Sequence, residues 1–384
     1  MTGHAKNTYE RLKYVESCSG GRFQIMINSV EKTDLQKLAD KLEETNDLSD
    51  SEFASVLLCN DPEFDDYLSK KARNVCEKYY GRDVYLRGLI EFTNYCRNNC
   101  YYCGIRKNNK NIERYRLSED EILSCCSRGY KLGFRTFVLQ GGEDPYYTDT
   151  VMVTLVRRIK QLHPDCAVTL SLGERKKESY RKLFEAGADR YLLRHETADA
   201  KHYEMLHPET MSYKNRIQCL EDLKEIGYQV GCGMMVGSPG QNILHLVKDL
   251  RFLQKIKPEM VGIGPFIPHH DTIFAGLRAG SAEMTTRLLS VIRLMLPDVL
   301  LPATTALGSI DAFGREKGIL AGANVVMPNL SPKEVRKKYL LYDNKICVGD
   351  DAAACIGCMS ARVSKTGCQL VVSRGDHVRF KKNG

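Results

Sequence analysis

EFTNYCRNNCYYCG, from Glu91 to Gly104, is the stretch that decides how the rest of the chain is interpreted. The largely apolar run 85–92, which ends inside this stretch at Phe92, has the character of a buried strand. Three cysteines follow it with the spacing CxxxCxxC. Three thiolates can hold three irons of a 4Fe-4S cube, whereas an ordinary electron-transfer cluster takes four cysteines. The fourth iron is then free to bind a substrate or cofactor, as an open zinc position does. A zinc site or unrelated buried thiols are the alternatives. The spacing therefore predicts an open cluster held by Cys96, Cys100 and Cys103.

Outward from this stretch, short apolar runs alternate with amphipathic segments along most of the chain. Strands that alternate with helices indicate βαβ units and a parallel sheet. Eight such repeats over roughly 250 residues predict an α/β fold, a (βα)8 TIM-type barrel. An open, doubly wound sheet is the alternative, although no G-x-G-x-x-G fingerprint follows the first strand. The predicted strands are 85–92, 136–140, 167–172, 190–195, 229–236, 260–263, 300–304 and 324–327. The predicted helices include 118–132, 150–162, 176–186, 242–256 and 282–296, and 332–341 closes the last repeat.

The region before the barrel is predicted to be a helical extension. Between Pro62 and Gly81 apolar side chains recur at helix-face spacings, and the glycine ends the pattern. Residues 34–42 and 50–58 are weaker helix candidates. The predicted domains are an N-terminal helical cap (1–83), the barrel (84–342) and a C-terminal cysteine-containing tail (343–384).

Fifteen cysteines in 384 residues are the unusual feature of the composition. The N-terminus is polar, without the apolar core of a secretory signal, and no run approaches the ~18 apolar residues of a membrane span. We expect a reducing location, cytoplasmic or an organellar matrix, where clustered cysteines bind metal or do chemistry more often than they form disulfides. The formal net charge of +8 is a mild excess for this length, so neither a nucleic-acid nor a membrane partner is expected.

Polar residues also follow other predicted strands. Gly142 and Glu143 follow the second strand, where glycine allows the backbone to approach a ligand closely. Arg194 and Glu196 end the fourth strand and flank His195, so on an extended chain they point the same way. A sharp turn and a buried ion pair are the respective structural alternatives. In a βα barrel this end of the strands carries the chemistry.

A second cysteine group follows the last repeat, with the spacing C-x7-C-x2-C. Three thiolates could hold an accessory cluster, either 2Fe-2S or 4Fe-4S, or zinc with a fourth ligand such as Cys368. Unligated surface thiols are the alternative. The candidate ligands are Cys347, Cys355 and Cys358.

The CxxxCxxC stretch resembles the radical S-adenosylmethionine (SAM) enzymes, whose motif follows the first barrel strand with an aromatic residue before the third cysteine. Tyr102 fills that position. Residues 140–144 resemble the superfamily's GGE motif, and 262–268 its adenine-contacting segment. The resemblance implies that the open iron chelates the amino and carboxylate groups of SAM. One reducing electron would then cleave the sulfonium to methionine and a 5′-deoxyadenosyl radical.

A longer resemblance, covering most of the chain between residues 87 and 358, is to the HydE family of FeFe-hydrogenase maturases. Gly141 departs from it, since several members have serine there. The family implies a role in building the two-iron part of the hydrogenase active centre. Its substrate would be a small molecule, an iron complex carrying CO, cyanide and a cysteine ligand. The implied partners are a reductant protein and the sister maturases. The resemblance rests on 87–92, 109–116, 138–147, 169–174, 188–197, 261–269 and 301–306.

Besides the cluster cysteines, the family resemblance implies a set of SAM-binding residues and a set of substrate-binding residues. An arginine and threonine hydroxyls inside a barrel can form a preorganised anion site, although hydroxyls bonded to backbone would explain the threonines equally well. The implied SAM contacts are Tyr102, Gly142, Glu143, Thr169, Arg194, Glu196, Arg216, Met260 and Tyr339. The implied substrate contacts are Arg87 and the barrel-floor pair Thr304 and Thr305.

Two other functions remain open at this point. A radical SAM mutase of the methylornithine-synthase type would hold a lysine-like amino acid and would need acidic partners for two amines. A non-catalytic Fe-S scaffold or carrier would account for both cysteine groups but not for the motifs at the other strand ends.

Overall fold

The computed structural model describes residues 15–16, 22–23, 32–349 and 352–380, so most of the first 31 residues of the predicted cap lie outside the described residues. The helices are α1 (Lys32–Thr45), α2 (Asp50–Leu58), α3 (Pro62–Tyr80), α4 (Glu119–Lys131), α5 (Asp149–Leu162), α6 (Lys177–Glu185), α7 (Ala200–Leu206), α8 (Tyr213–Ile226), α9 (Ile243–Ile256), α10 (Ala282–Met295), α11 (Thr305–Ile310), α12 (Gly314–Leu320), α13 (Lys333–Arg336) and α14 (Ala352–Ser364), and a 3₁₀ turn spans Val378–Phe380. The strands are β1 (Val15–Glu16), β2 (Arg22–Phe23), β3 (Asp83–Leu86), β4 (Gly88–Thr93), β5 (Thr136–Gly141), β6 (Ala167–Ser171), β7 (Arg190–Leu192), β8 (Gln229–Cys232), β9 (Met235–Val236), β10 (Met260–Val261), β11 (Gly264–Pro265), β12 (Val325–Val326) and β13 (Gln369–Val371).

The main sheet has six parallel strands in the order β10-β8-β7-β6-β5-β4. Each strand is followed in the chain by a segment that packs against the sheet, as βαβ units require. Each edge strand of this sheet forms one further parallel bridge: Met260 of β10 pairs with Leu300, and Leu89 of β4 pairs with Asn329. The prediction of an α/β fold with parallel strands is confirmed.

The first predicted strand, residues 85–92, is wrong as a single element, because the structure divides it into β3 and β4 on either side of Arg87. Along one edge the pairing continues across the break, since Tyr85 N–H donates to Asn324 and Leu89 N–H donates to Pro328. Along the other edge the partner changes from β13 to β5. A run of apolar residues does not reveal such a change of partner.

Two predicted elements of the last repeats are also shorter than expected. In place of a strand over 300–304, the structure has single bridges at Leu300 and Pro302, and α11 begins at Thr305, directly after the extended N-cap Thr304. In place of a helix over 332–341, it has the four-residue α13. Pro332 fixes the start of that helix, but its capping position provides no side-chain hydrogen bond.

The N-terminal helices form as predicted, and local signals explain their limits. Ser49 and Glu52 form a capping box at the start of α2. Pro62 occupies the first turn of α3, and Gly81 ends it with φ +61°. Phe64 and Leu68 of α3 are fully buried against the main hydrophobic core. No helix in the described ranges is long and apolar enough to cross a bilayer.

The C-terminal segment packs against the start of several parallel strands. β13 extends the sheet of β3 and β12. Beyond it, Asp376 accepts hydrogen bonds from Arg190 at 2.5 Å, Arg374 at 2.7 Å and Gln229 at 2.9 Å. Burial opposes the ionisation of Asp376, but Arg190 and these hydrogen bonds outweigh it and lower the pKa of Asp376. The carboxylate therefore links this segment to a fully buried strand arginine.

Replacing Asp376 by asparagine is expected to lower the free energy of unfolding at pH 7 by about 3 kcal/mol, because Arg190 loses its buried counterion. A carboxyl group with a lowered folded-state pKa stabilises above its ordinary pKa, and this contribution is lost as the pH falls. Because the ordinary carboxyl pKa is about 4, the contribution is lost below that pH, and urea denaturation from pH 5 to pH 2 should show a shallower acid dependence for the variant than for wild type. Asp66→Asn, at an exposed i,i+4 pair, is the matched control and should change little. If Asp376→Asn is as stable as wild type, Asp376 does not stabilise the fold as the counterion of Arg190.

Candidate functional site

The three motif cysteines lie in the loop that follows β4, and all three are half-buried with free thiols. Backbone hydrogen bonds fix the loop. Cys103 N–H donates to the Cys100 carbonyl at 3.2 Å, and Arg97 N–H donates to the carbonyl of Glu143, two residues beyond the end of β5, at 2.9 Å. The structure therefore holds the CxxxCxxC segment against the end of the neighbouring strand.

The thiols influence one another electrostatically. Burial, together with the charge of Cys96, raises the pKa of Cys103 to about 12. Burial, together with Cys103 and Cys96, raises the pKa of Cys100 well above its usual value. Three adjacent thiolates therefore require a strongly cationic group between them. Within the part of the chain that the structure describes, a different group, His269, His270 and Asp343, is the one whose three potential ligand atoms lie within 4.8 Å of one another. The cysteine sulfurs are thus farther apart than the ligands of one tetrahedral zinc ion, at about 2.3 Å per Zn–S bond, would be.

Gly142 lies where the end of β5 meets the cysteine loop. A Cβ atom there would come within 2.2 Å of the Tyr95 carbonyl oxygen and 2.8 Å of the Cys96 Cβ. The following residue, Glu143, accepts hydrogen bonds from Arg97 Nε at 3.0 Å and from the Glu174 backbone N–H at 2.9 Å. The predicted GGE motif therefore contacts the cysteine loop. The Glu143 carboxylate accepts its hydrogen bonds from donors of the protein itself.

The pair Arg194 and Glu196 is brought together as the sequence predicts, although by a different backbone. Glu196 has φ +67°, so the segment is not extended, yet the two charged groups approach to 3.1 Å. They lack hydrogen-bond geometry, and Arg194 Nε and Nη2 and Glu196 Oε2 are buried without a hydrogen-bond partner. Arg194 Nη2 and Glu196 Oε2 thus face each other as an ion pair, the structural alternative for these residues, while Arg194 Nε is left for a polar ligand.

Arg216 projects from α8 towards the same region. Its guanidinium donates to Glu174 Oε1 at 2.6 Å and to the Arg194 carbonyl at 2.6 Å. Burial raises the pKa of Tyr102 well above its usual value, and Glu196 and Cys100 raise it further. The predicted residues Tyr102, Glu196 and Arg216 therefore surround the cysteine motif.

Thr169 and Tyr339 occupy two further positions near it. Thr169 is fully buried and its hydroxyl has no hydrogen-bond partner. Its neighbours Val168 and Leu170 belong to the main core, so by strand alternation Thr169 faces the opposite side of the sheet. Burial raises the pKa of Tyr339 well above its usual value, with contributions from Glu91 and from the cysteines.

Met260, a predicted SAM contact, is not grouped with the cysteines. Its sulfur accepts a hydrogen bond from Arg87 Nη1 at 2.8 Å, and Met260 packs in a separate apolar cluster with Tyr80 and Tyr85. Arg87 is 3% exposed, and its Nε has no hydrogen-bond partner. The predicted substrate residue Arg87 and the predicted SAM residue Met260 thus contact each other.

Thr304 and Thr305 lie at the start of α11. Thr304 is the N-cap of α11, and its hydroxyl accepts from Leu307 N–H at 3.4 Å. The pair follows the bridged segment that ends at Pro302, so it lies at the carboxyl end of a strand position. A hydroxyl bonded to backbone is the structural alternative considered for this pair, and the geometry of Thr304 matches it.

Two of the C-terminal cysteines are adjacent. A hydrogen bond with Cys347, followed by burial, raises the pKa of Cys355. Arg315 approaches the Cys347 sulfur at 3.6 Å. Cys358 lies one turn beyond Cys355 on α14 and is exposed. Cys368, a possible fourth ligand, is instead buried in the main core.

Sequence reasoning missed several residues of the site. Glu174 ends the third predicted strand, but only the fold reveals its ion pair with Arg216. His207 stacks on Tyr203 at 3.9 Å and lies 3.4 Å from the Tyr102 hydroxyl, and burial lowers its pKa to about 3. Tyr203 lies in α7 and His207 directly after it, where no motif or spacing marks them.

The residues present fit an open cluster with a small polar ligand. Three thiols supply the iron ligands. Gly142, directly after β5, offers a cradle without a side chain, and the Thr169 hydroxyl within β6 and Arg194 Nε beyond β7 have no hydrogen-bond partner. Both charge signs are represented, as a zwitterionic amino-acid group requires.

Comparison with known proteins agrees with this geometry. Residues 90–253 match the family described as the Radical SAM superfamily. The chain is 48% identical over 312 residues to the FeFe hydrogenase maturase subunit HydE of Thermotoga maritima, covering 81% of this chain and 89% of that protein. It is 32% identical to 3-methylornithine synthase of Methanosarcina acetivorans, covering 84% of this chain and 91% of that protein. The crystal structure of methylornithine synthase (PylB) is similar, with a TM-score of 0.77 and 30% identity, covering 87% of this chain and 97% of that chain.

Proposed function

Because the chain belongs to the HydE family of FeFe hydrogenase maturases within the radical SAM superfamily, we propose that it acts on a small substrate during assembly of the two-iron part of a hydrogenase active centre. The substrate class that the family implies is an iron complex with CO, cyanide and a cysteine ligand. The observation that carries this proposal is the CxxxCxxC loop fixed against Gly142 and surrounded by buried polar groups without partners.

When bound, the cluster and SAM supply a 5′-deoxyadenosyl radical after one-electron reduction. The protein's own contribution is positioning and exclusion of water. Cys96, Cys100 and Cys103 would hold the cluster. Arg194 and Glu196 offer opposite charges to the amino-acid end of SAM, and Glu174 keeps the Arg216 guanidinium in place.

The sharpest test is anaerobic. After reconstitution with iron and sulfide and reduction, the EPR spectrum is recorded with and without SAM, beside Cys96→Ala. A reduced 4Fe-4S signal that changes on adding SAM, and is absent from the variant, is the expected result. A signal indifferent to SAM would favour a scaffold or carrier and remove the radical mechanism.

Thr169→Val tests one predicted SAM contact without disturbing packing. Valine has nearly the same shape, and the hydroxyl it replaces has no partner in the protein. The variant should therefore keep or slightly raise its Tm, while its Kd for SAM rises about tenfold, in line with ~1–1.5 kcal/mol for one hydrogen bond. Equilibrium binding of SAM to the reconstituted protein measures this. Val138 is paired with Thr169 on the neighbouring strand β5. Val138→Ala should lower Tm, because it leaves a cavity in the packing. Unchanged SAM affinity of Thr169→Val would exclude the contact.

We propose further that the sheet closes into an eight-stranded barrel. The bridges of Leu89 to Asn329, Met260 to Leu300 and Pro302 to Val325 support this, because they link both edges of the six-stranded sheet through two short additional segments. A tilted, staggered register of this kind is what a closed barrel needs. The divisions 1–83, 84–342 and 343–384 are proposed as its cap, barrel and tail.

An accessory Fe-S cluster at the C-terminal cysteines is also part of the proposal. It is supported by the contact of Cys347 with Cys355 and by the position of Cys358 one helical turn away. Arg315 would stabilise thiolates at this site. Cys368 is left out as a ligand.

The methylornithine-synthase-type mutase is the second candidate, favoured by the 32% identity and the similar structure. Incubation with lysine, SAM and reductant separates the two, because only the mutase would convert lysine. We propose HydE-type maturation over it because the identity to HydE is 48%.

A further inference from the structure

We infer that the outer face of the segment 106–114, here called the basic loop, is the docking surface for an acidic electron-carrier protein. The inference rests on the proposed function, because a cluster that cleaves SAM must receive one electron from a donor for each cleavage. It names the face of this chain that the donor contacts.

The basic loop lies directly on the cysteine motif. Lys107 N–H donates to the Asn98 carbonyl at 2.8 Å, and Arg106 Nη1 donates to Asn99 Oδ1 at 3.1 Å, both between the first and second motif cysteines. Asn109 Nδ2 donates to the carbonyl of Gly104, next to the third, at 2.7 Å. A protein bound to this loop would therefore approach the cluster ligands closely.

The positive charge of the loop is only partly offset: the Asp271 carboxylate accepts a hydrogen bond from Asn111 of the loop at 2.7 Å, but it forms no ion pair with the loop's lysines or arginines. Its one acidic residue, Glu113, is paired with Lys338 at 2.5 Å. Arg106 and Arg114 donate to carbonyl and amide oxygens and to no carboxylate of the described chain. Lys107 and Lys110 are exposed and form no ion pair with any residue that the structure describes.

The two arginines beside the loop behave differently. Arg97 is paired with Glu143 at 2.9 Å and Arg116 with Asp144 at 2.6 Å. Beside the motif, the unpaired exposed charge is thus that of Lys107 and Lys110, whereas Arg97 and Arg116 each hold a carboxylate. An acidic partner would gain both attraction and orientation from such a patch, and its association would depend on salt.

The occupant we infer is an acidic protein carrying a low-potential cluster. A small chemical reductant needs no docking surface. The rates of SAM cleavage with a protein donor and with a small reductant can therefore be compared on the same variant. The test variant is Lys107→Glu/Lys110→Glu. The matched control is Lys131→Glu/Lys365→Glu, which changes the net charge equally at two exposed, unpaired lysines. Lys131 ends α4 and Lys365 follows α14, away from the motif.

The probe is an acidic two-cluster ferredoxin, photoreduced, with dithionite as the small reductant. Formation of 5′-deoxyadenosine is followed against ferredoxin concentration at low and high salt, and ferredoxin binding is measured by calorimetry. The test variant should raise the KM for ferredoxin and its Kd at least tenfold. Its dithionite-driven rate should stay within twofold of wild type, and the control variant should match wild type throughout.

Ferredoxin binding by the test variant that equals wild type would overturn the docking surface. An equal loss of the ferredoxin-driven and dithionite-driven rates would also overturn it, because the loop would then act on the cluster rather than on the donor. If wild type itself fails to cleave SAM with dithionite, the proposed function fails. That outcome is distinguishable, since the calorimetric comparison requires no SAM cleavage.

Discussion

Replacing Cys100 by alanine is expected to reduce 5′-deoxyadenosine formation to the protein-free background. Each motif thiol accounts for one iron of the cube, so its loss leaves a second iron without a protein ligand. Neighbouring residues offer no substitute. The nearest sulfur contact of Cys100 is the thioether of Met211 at 3.6 Å, which carries no charge. The reconstituted variant is assayed for 5′-deoxyadenosine with dithionite, together with its iron content and its EPR signal.

The matched control is Cys59→Ala. Cys59 is likewise a half-buried free cysteine, but it lies at the end of α2 and accepts only a backbone N–H from Asp61. This variant should retain wild-type iron content and turnover. Measurable turnover above background in Cys100→Ala, with an intact fold, would mean that Cys100 is not an essential ligand.

The second large effect is expected from Gly142→Ala, the addition of one methyl group. The new Cβ would lie 2.2 Å from a backbone oxygen, that of Tyr95, so relief requires movement of the cysteine loop itself. Misplacement of reacting groups by about 1 Å can cost on the order of 10²-fold in rate, and we expect at least this loss in SAM cleavage. Iron content after reconstitution should fall in parallel, while the far-UV circular dichroism remains native.

Gly276→Ala provides the control for the mutation itself. A Cβ at Gly276 meets no atom within 4 Å, so this variant should be indistinguishable from wild type. If Gly142→Ala keeps full iron content and normal turnover, the cysteine loop can move to accept the methyl group without loss of activity. The close approach of Gly142 to the loop would then not be needed for function.

Much of the site could be predicted because its signals are local. The cysteine spacing is contained in eight residues, and an apolar strand directly precedes it. Arg194 and Glu196 were predicted to face the same way, and they do approach to 3.1 Å. The prediction succeeded although Glu196 has a left-handed φ, because a separation of two residues limits how far apart the side chains can lie.

Other parts depend on contacts between distant segments. Arg216 and Glu174 are 42 residues apart, and α8 and β6 must pack before they can pair. Met260 was assigned to SAM, yet in the fold its sulfur faces Arg87, 173 residues earlier in the chain. Thr304 was assigned to a floor but caps a helix, since the chain turns there.

The sequence by itself determined the alternation of strands and helices, the spacing of the cysteine motif after a strand and the polar residues that follow the strands. These follow from periodicity and short spacing, which side-chain burial and chain geometry enforce over a few residues. Only the tertiary structure decided which strand pairs with β3, which carboxylate holds Arg216 and which charges of the basic loop remain unpaired. Such choices depend on register and packing between remote segments, and no local pattern records them.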